Sequence, residues 1–389
     1  MALIKRFPLV LAASLASTIG GLPFNTLPVV LGALGASLGL SATTLGDLAG
    51  TLFAGYFAGT LLALTMIDRL DWRWVTVAAA VGTSVAYAVS AQSGATALPA
   101  VLAVMGLFSA LMTALGLRVL AQLPDKEQAF GFRQSTELWI TAAVLFVLPP
   151  FVIAPYGYRG LALALGALVL LLGLSARWLP RGPDQVAALG LRWLPAWRDA
   201  ATAWVVLGFF FFYLAGNIGL WAFLGHYAVA AQLTPAESGL AFAVLKVLGG
   251  VAAVAVAVFG GALGILRGQW VALAGVTAGL LWLHFGQGLI GFAGGAWTWE
   301  FFFTVGCILQ TATIASFDGS QRLVVLVPAA FAASSMIAPP IAGRLLEQVG
   351  PSALLWAAFA AAAVPALFYP RLLGPALQRR AMLTAGAPL

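Results

Sequence analysis

Lys246 stands inside a long apolar stretch of the chain, where a charged side chain is costly and usually functional. It lies about ten residues into a run near 237–260, so a helix rising 1.5 Å per residue would hold it about 15 Å from the start of the run. Gly249 and Gly250 follow on the same helical face and leave space beside it. The sequence predicts a cationic anchor for an anionic solute, or a partner for a titratable carboxylate. A buried structural ion pair is the alternative.

Glu137 is a second ionisable residue at membrane depth, about two helical turns into an apolar run near 131–153. A carboxylate at this depth is a candidate for coupling to a solute or a proton. The simpler interpretation is an ion pair with Arg133, because residues four apart are neighbours on a helix surface. The sequence alone leaves both interpretations open.

Three amide side chains, Asn25, Asn217 and Gln310, extend the candidate site. Asn25 and Asn217 lie at similar depths in the first and seventh apolar runs, beside glycines where backbones can approach. Amides suit hydrogen bonding to a polar solute. Alternatively, each amide joins two helices, as polar residues in membranes often do. Because Asn25 and Asn217 occupy corresponding runs, we expect them to face a shared cavity.

The tenth apolar run lies near 296–316. These boundaries predict that Glu300 and two tryptophans lie away from the candidate site. Glu300 falls near the outer end of that run, where water reaches it. Trp297 and Trp299 then belong to the aromatic belt at the membrane interface. A proton role for Glu300 stays open, but it is not counted among the central site residues.

The composition identifies lipid as the solvent of most of these side chains. Hydrophobic residues make up 62% of the 389 residues and charged residues 8%, whereas soluble domains carry about 25% charged residues. A spanning helix needs about 20 mainly apolar residues, and continuous apolarity favours helices over a β-barrel. Twelve spans are predicted, near 7–31, 43–67, 74–92, 97–122, 131–153, 159–176, 201–225, 237–260, 269–286, 296–316, 322–345 and 351–370.

The basic residues orient these spans, since cytoplasmic loops of membrane proteins are enriched in Lys and Arg. With the N-terminus in the cytoplasm, 16 of the 19 basic residues fall in inner segments. Arg159 and Arg344 fall in outer segments, and Lys246 stays within a span. This bias predicts a multi-pass protein of a bacterial inner membrane with both termini cytoplasmic. The scattered basic residues form no face for nucleic acid.

The chain also divides into two similar halves. Residues 177–200 form the longest polar connection and separate two predicted six-helix bundles, 1–176 and 201–389. Features recur between the halves, for example Gly157 before span 6 and Gly350 before span 12, 193 residues apart. Parallel repeats of this kind are typical of one large transporter class.

The loop after span 2, Asp68-Arg-Leu-Asp-Trp-Arg73, resembles the loop 2–3 signature of the major facilitator superfamily, in which an Asp-Arg pair precedes a glycine and further basic residues. The match is partial, since Leu64 and Asp71 stand where the signature has glycines. The resemblance covers essentially the whole chain. It implies a charge cluster that latches the cytoplasmic ends of the two bundles, here Asp68, Arg69, Arg73 and Arg118.

The resemblance also implies a secondary transporter that works by alternating access around a central site lined by spans 1, 4, 7 and 10. Spans 5 and 8 face each other in this family, so Lys246 becomes a second candidate partner of Glu137. A pair that forms and breaks with solute or proton would couple binding to motion. We expect a monomer that carries a small organic solute, an amphipathic or aromatic anion, with protons as the coupling ion.

Motifs for other chemistry are absent from the sequence. It has no Walker-type nucleotide loop, no HExxH and no Gly-x-Ser-x-Gly elbow. With Cys307 as the single cysteine, neither a disulfide framework nor a cysteine-based metal site can form. We therefore expect no enzymatic activity, no metal and no cofactor. A transport-inactive receptor or a membrane-embedded enzyme of the same fold is the alternative.

Overall fold

The computed structural model describes residues 6–123, 126–182, 197–317 and 323–385, and the regular elements in these ranges are all helical. Ten helical stretches are long and apolar enough to cross a membrane, judged by length and composition. One of them, residues 129–178, contains both span 5 and span 6, and Trp72–Ser90 is less apolar and is not among the ten. The predicted all-α membrane fold of about twelve spans is confirmed.

The first bundle contains spans 1 to 6, and span 1 is broken between Asn25 and Leu27. Gly157 adopts a positive φ of 58°, which favours glycine, and separates span 5 from span 6 within nearly continuous helix. The spans are Phe7–Asn25 with Leu27–Leu38 (span 1), Ala42–Met66 (span 2), Trp72–Ser90 (span 3), Leu98–Leu120 (span 4), Lys126–Leu148 with the π-helical turn Pro149–Ile153 (span 5), and Ala154–Gly173 with the 3-10 turn Leu174–Trp178 (span 6).

The second bundle repeats this pattern, and it too begins with a broken span. Gly264, at φ 67°, separates spans 8 and 9, and Gly350, at φ 105°, precedes span 12. The spans are Trp197–Ala222 with Leu224–Ala230 (span 7), Pro235–Phe285 (spans 8 and 9), Gly288–Phe317 (span 10), Val327–Gln348 (span 11) and Pro351–Ala385 (span 12).

Small residues let the spans of one bundle approach closely. Gly55 and Gly59, one turn apart on span 2, face the backbone carbonyls of Ala103 and Leu107 on span 4, where a methyl group would collide with the backbone. Span 4 also packs against spans 1 and 3, and span 10 packs against spans 7, 8 and 9. Close approach through small residues is a common way to hold helices together in lipid.

The two bundles meet through spans 2 and 11 and through spans 5 and 8. We call the end of the molecule that carries Leu38 and Ala42 the predicted outer end, and the end that carries Met66 and Trp72 the predicted inner end. Residues 183–196, which include most of the predicted linker 177–200, lie outside the described residues. The domain boundaries proposed from the sequence therefore stay a prediction.

Candidate functional site

Lys246 lies at the junction of the two bundles, in contact with two side chains of the second bundle. It is 3% exposed. Its ammonium is 3.7 Å from Oε1 of Glu300 on span 10 and 3.7 Å above the ring of Trp221 on span 7. A cation over an indole face is attracted by the negative face of the ring. The lysine is thus held by one carboxylate and one aromatic face.

The position of Glu300 corrects the sequence-based expectation that it lies near the outer end of span 10. The helix begins at Gly288 rather than near residue 296. Glu300 is therefore twelve residues into the helix, a rise of about 18 Å, and is 8% exposed. Gly286 and Gly288 flank the break before span 10 and are the sequence signal from which the earlier start could have been read.

The expectation that Trp297 and Trp299 belong to the interfacial belt is also wrong. Trp299 is fully buried, and its indole N–H donates to Oδ1 of Asn217 at 2.9 Å. The indole N–H of Trp297 donates to the Ala241 carbonyl at 2.8 Å, which ties span 10 to span 8. Trp299 lies inside the second bundle and Trp297 is half-buried against span 8, because span 10 starts earlier than its apolar run indicates.

Glu137 forms the ion pair with Arg133 that its helical spacing indicated. Nη2 of Arg133 lies 2.6 Å from Oε2 of Glu137, and Nδ2 of Asn25 donates to Oε1 at 2.9 Å. Arg133 also donates to the Ser17 hydroxyl at 2.6 Å. Of the two partners considered for Glu137, the structure places Arg133 beside it. The ion-pair partner of Lys246 is Glu300.

The three amides differ in what they contact. Asn25 of span 1 donates to Glu137 of span 5 and so lies beside a second candidate residue. Asn217 is fully buried and joins spans 7 and 10 by accepting from Trp299. Gln310 is also fully buried and accepts from the Tyr369 hydroxyl at 3.2 Å, between spans 10 and 12. In this state Asn217 and Gln310 serve as helix-to-helix contacts, the alternative considered from the sequence.

A hydrogen bond between the bundles crosses the centre of the molecule. Pro28 has no N–H and cannot bond to the carbonyl of Phe24 four residues earlier. Span 1 breaks at Thr26, and there the Phe24 carbonyl accepts a backbone N–H at the helix end. The indole N–H of Trp221 donates to the same carbonyl at 2.9 Å. The same indole ring carries the ammonium of Lys246. Trp221 therefore connects the break in span 1 to the buried ion pair of the second bundle.

At the predicted outer end, spans 2 and 11 are held together by polar and close-packed contacts. Asp47 and Arg344 form an exposed ion pair at 2.8 Å, and the backbone N–H of Thr43 donates to Glu347 at 3.0 Å. Below them Gly46 faces the Pro339 carbonyl so closely that a side chain would collide with it. This end of the junction is closed.

The predicted latch residues lie at the other end. Nε of Arg73 donates to the Leu179 carbonyl at 2.6 Å, a contact within the first bundle. Arg69 is exposed and Arg118 is half-buried, while the side chain of Asp68 lies outside the described residues. Asp71, in a position where the family signature has glycine, caps span 3 by accepting from the backbone N–H of Arg73 at 2.8 Å. A role in latching the two bundles stays a prediction.

Within the described ranges, no three or more His, Cys, Asp or Glu side chains lie together as a metal site would need. Cys307, the single cysteine, is half-buried on span 10 as a free thiol.

Comparisons with known proteins agree with this geometry. A family model described as Major Facilitator Superfamily matches residues 13–320. The nucleoside transporter NupG superimposes with a TM-score of 0.77 at 13% identity, covering 94% of this chain and 99% of that chain. A D-xylose-proton symporter gives 0.75 at 13% identity, covering 93% and 96%. A partially occluded inward-open form of the xylose transporter XylE from E. coli gives 0.75 at 14% identity, covering 94% and 97%. No curated protein sequence matches the chain.

Proposed function

Because the chain belongs to the major facilitator superfamily, we propose that it moves a small organic solute across the membrane by alternating access, with the solute bound between the two bundles beside Lys246. The observation that carries this proposal is the placement of buried ionisable side chains from both bundles at the junction that would have to open and close. Charged groups at membrane depth mark solute and ion pathways in transporters.

The contacts between the bundles support a state that opens toward the predicted inner end. The cross-bundle bonds Asp47–Arg344 and Thr43–Glu347 lie at the predicted outer end, and Trp221–Phe24 lies near mid-depth. Rocking of one bundle against the other would break the outer contacts and expose Lys246 to the opposite side. The two glycine contacts of spans 2 and 11 act as the closed outer gate in this cycle, Gly46 against Pro339 and Gly343 against Ala42.

The central lysine, with the aromatic ring of Trp221 against its ammonium, favours an amphipathic or aromatic anion as the solute. Carboxylates are the titratable groups next to it, so protons are the proposed coupling ion. Glu137 stays a candidate for coupling through its pair with Arg133. We further propose that the protein acts as a monomer in a bacterial inner membrane with both termini cytoplasmic.

A transport assay with purified, reconstituted protein tests the proposal. Candidate solutes are first found by the rise in thermal stability that a ligand of the folded state produces. Uptake into proteoliposomes is then measured with and without an imposed pH gradient. Lys246→Ala is expected to abolish uptake, and Arg371→Ala, an exposed arginine of span 12, serves as the charge-removal control.

Each outcome separates one part of the proposal from another. Unchanged uptake by Lys246→Ala would mark the lysine as structural. Uptake that ignores the pH gradient would remove proton coupling and leave the transporter assignment in place. Solute binding without uptake by the unaltered protein would instead favour the transport-inactive receptor.

A further inference from the structure

The two buried ion pairs at the bundle junction differ in how fully their polar atoms are bonded. Both oxygens of Glu137 receive hydrogen bonds, one from Arg133 and one from Asn25. Arg133 is fixed further by its bonds to the Ser17 hydroxyl and to Gln134, at 2.6 and 3.3 Å. This pair is saturated by its own bundle, so a solute would have to displace existing hydrogen bonds to reach it.

The pair formed by Lys246 and Glu300 has fewer hydrogen bonds to its polar atoms than the pair formed by Arg133 and Glu137. Its Nζ–Oε1 distance of 3.7 Å is an ion-pair distance that exceeds the range of a good hydrogen bond. On another side the ammonium rests on the apolar face of Trp221. An ammonium has three N–H donors, and the contacts described leave donors on Lys246 and acceptors on Glu300 for a ligand.

Charge balance restricts what that ligand can be. Among the described residues, the two buried ion pairs of the junction are Arg133 with Glu137 and Lys246 with Glu300, and each pair is neutral as it stands. A solute anion would add one buried negative charge, and leaving a buried charge uncompensated carries a large free-energy cost. A proton that arrives with the anion removes this cost, provided that a carboxylate at the site accepts it.

We propose that Glu300 is that carboxylate, and that a solute carboxylate exchanges with it beside Lys246; this inference rests on the proposed transport function. A proton from water bonds to a carboxylate oxygen of Glu300. The carboxylate loses its charge and no longer attracts the ammonium of Lys246. Lys246 stays protonated and pairs with the solute carboxylate. The solute class is a monocarboxylate with an apolar or aromatic body, and solute and proton cross together as a neutral pair.

The groups around Glu300 leave it as the acceptor of the proton. Lys246 faces it from span 8, and Tyr213 faces it from span 7, with its hydroxyl already donating to the Phe303 carbonyl at 3.0 Å. Cys307 lies two turns along on its own helix. The carboxylate of Glu137 acts on Lys246 from span 5 but is bonded to Arg133. Glu300 can therefore change charge without breaking a hydrogen bond that holds a bundle together.

Binding and proton uptake by the purified, full-length protein test this inference. Benzoate and hexanoate are the probes, each compared with its amide, which has a similar shape and no charge. In weakly buffered solution we expect about one proton taken up per bound carboxylate, and an apparent Kd that rises about tenfold per pH unit once Glu300 is ionised, because one proton is linked to each anion bound. The amides are expected to bind at least tenfold more weakly than the acids.

Two variants make the assignment specific. Glu300→Gln is expected to bind benzoate with a Kd independent of pH and with no proton uptake. Glu237→Gln is the matched control, because Glu237 is a half-buried capping residue at the start of span 8 and glutamine can fill the same capping role. This variant should keep the pH dependence of the unaltered protein.

Several results would overturn the inference. These are benzoate and hexanoate binding without proton uptake, equal binding of the amides, a pH dependence that survives in Glu300→Gln, or no carboxylate binding between pH 5 and 8. Uptake of a solute that is not a carboxylate would overturn the solute class while leaving the transport function in place.

Discussion

The indole N–H of Trp221 donates to the carbonyl of Phe24 at 2.9 Å, and this bond joins the first span of one bundle to the first span of the other. Pro28 removes the N–H that would bond to this carbonyl in a continuous helix, and the carbonyl accepts a backbone N–H at the helix end as well as the indole. The donor ring also supports the ammonium of Lys246. A contact between bundles is therefore part of the same side-chain group as the candidate site.

Trp221→Phe is expected to keep a ring beneath Lys246 while removing the only donor of the indole. The Phe24 carbonyl would then keep its backbone N–H at the helix end and lose the bond from the indole, at a cost of about 0.5 to 1.5 kcal/mol. We expect a lower unfolding temperature in detergent and slower uptake, together with preserved binding of carboxylate probes. Trp356→Phe, a change at a mostly exposed tryptophan of span 12, is the control. Equal effects of the two substitutions would contradict the role assigned to the Trp221 bond.

Arg133→Ala is expected to destabilise the first bundle strongly, because it leaves the Glu137 carboxylate buried without its cation. Breaking a buried pair from one side costs about 3 to 5 kcal/mol. Arg133→Ala combined with Glu137→Ala should recover part of this loss, and denaturant unfolding of the four proteins of this cycle measures the coupling. Strictly additive effects would show that the two side chains do not act as a pair.

Gly46→Val is expected to prevent the closed arrangement of the predicted outer end. The new side chain would meet the Pro339 carbonyl of span 11, so spans 2 and 11 must separate. Spin labels at Leu38 and Val349, in a Cys307→Ser background, would report a longer distance between the bundles at this end. Gly32→Ala is the control, because a methyl group there meets nothing within 4 Å. An unchanged distance distribution in Gly46→Val would contradict the prediction, because it would show that the outer end closes without the contact between Gly46 and Pro339.

The exposed pair of Asp47 and Arg344 is expected to matter for the conformational equilibrium more than for stability. Both side chains are about half exposed, and exposed ion pairs contribute about 0 to 1 kcal/mol. Asp47→Asn should leave the unfolding temperature unchanged within experimental error. It should still shift part of the distance distribution between labels at Leu38 and Val349 to longer values. A large loss of stability with no change in the distances would contradict this expectation.

The orientation predicted from the basic residues can be measured with reporters. Alkaline phosphatase inserted at Gly94, in the connection between spans 3 and 4, is expected to be active, because the enzyme needs the oxidising side of the membrane. Green fluorescent protein fused after Leu389 should fluoresce in the cytoplasm. The opposite pair of results would place both termini outside and reverse the assignment of inner and outer ends.

Much of the fold followed from local properties of the chain. The existence of most spans could be predicted because each depends on the length of an apolar run, which needs no partner. The start of span 10 was misplaced because Gly288 to Gly295 is rich in glycine, a residue that more often marks turns and connections than the first turns of a helix. This error of eight residues moved Glu300 and Trp299 from the middle of the bundle to its rim. A helix boundary thus decided which residues entered the predicted site.

By itself, the sequence determined that this protein lies in a membrane, that it crosses about twelve times and that Lys246 would need a partner, because hydrophobicity and buried charge are properties of single segments and single side chains. Only the tertiary structure decided that the partner is Glu300, that Asn25 bonds to Glu137, and that Trp221 reaches the Phe24 carbonyl. These contacts join residues from different spans, and their geometry depends on how helices are offset and rotated when they pack, which no single segment encodes.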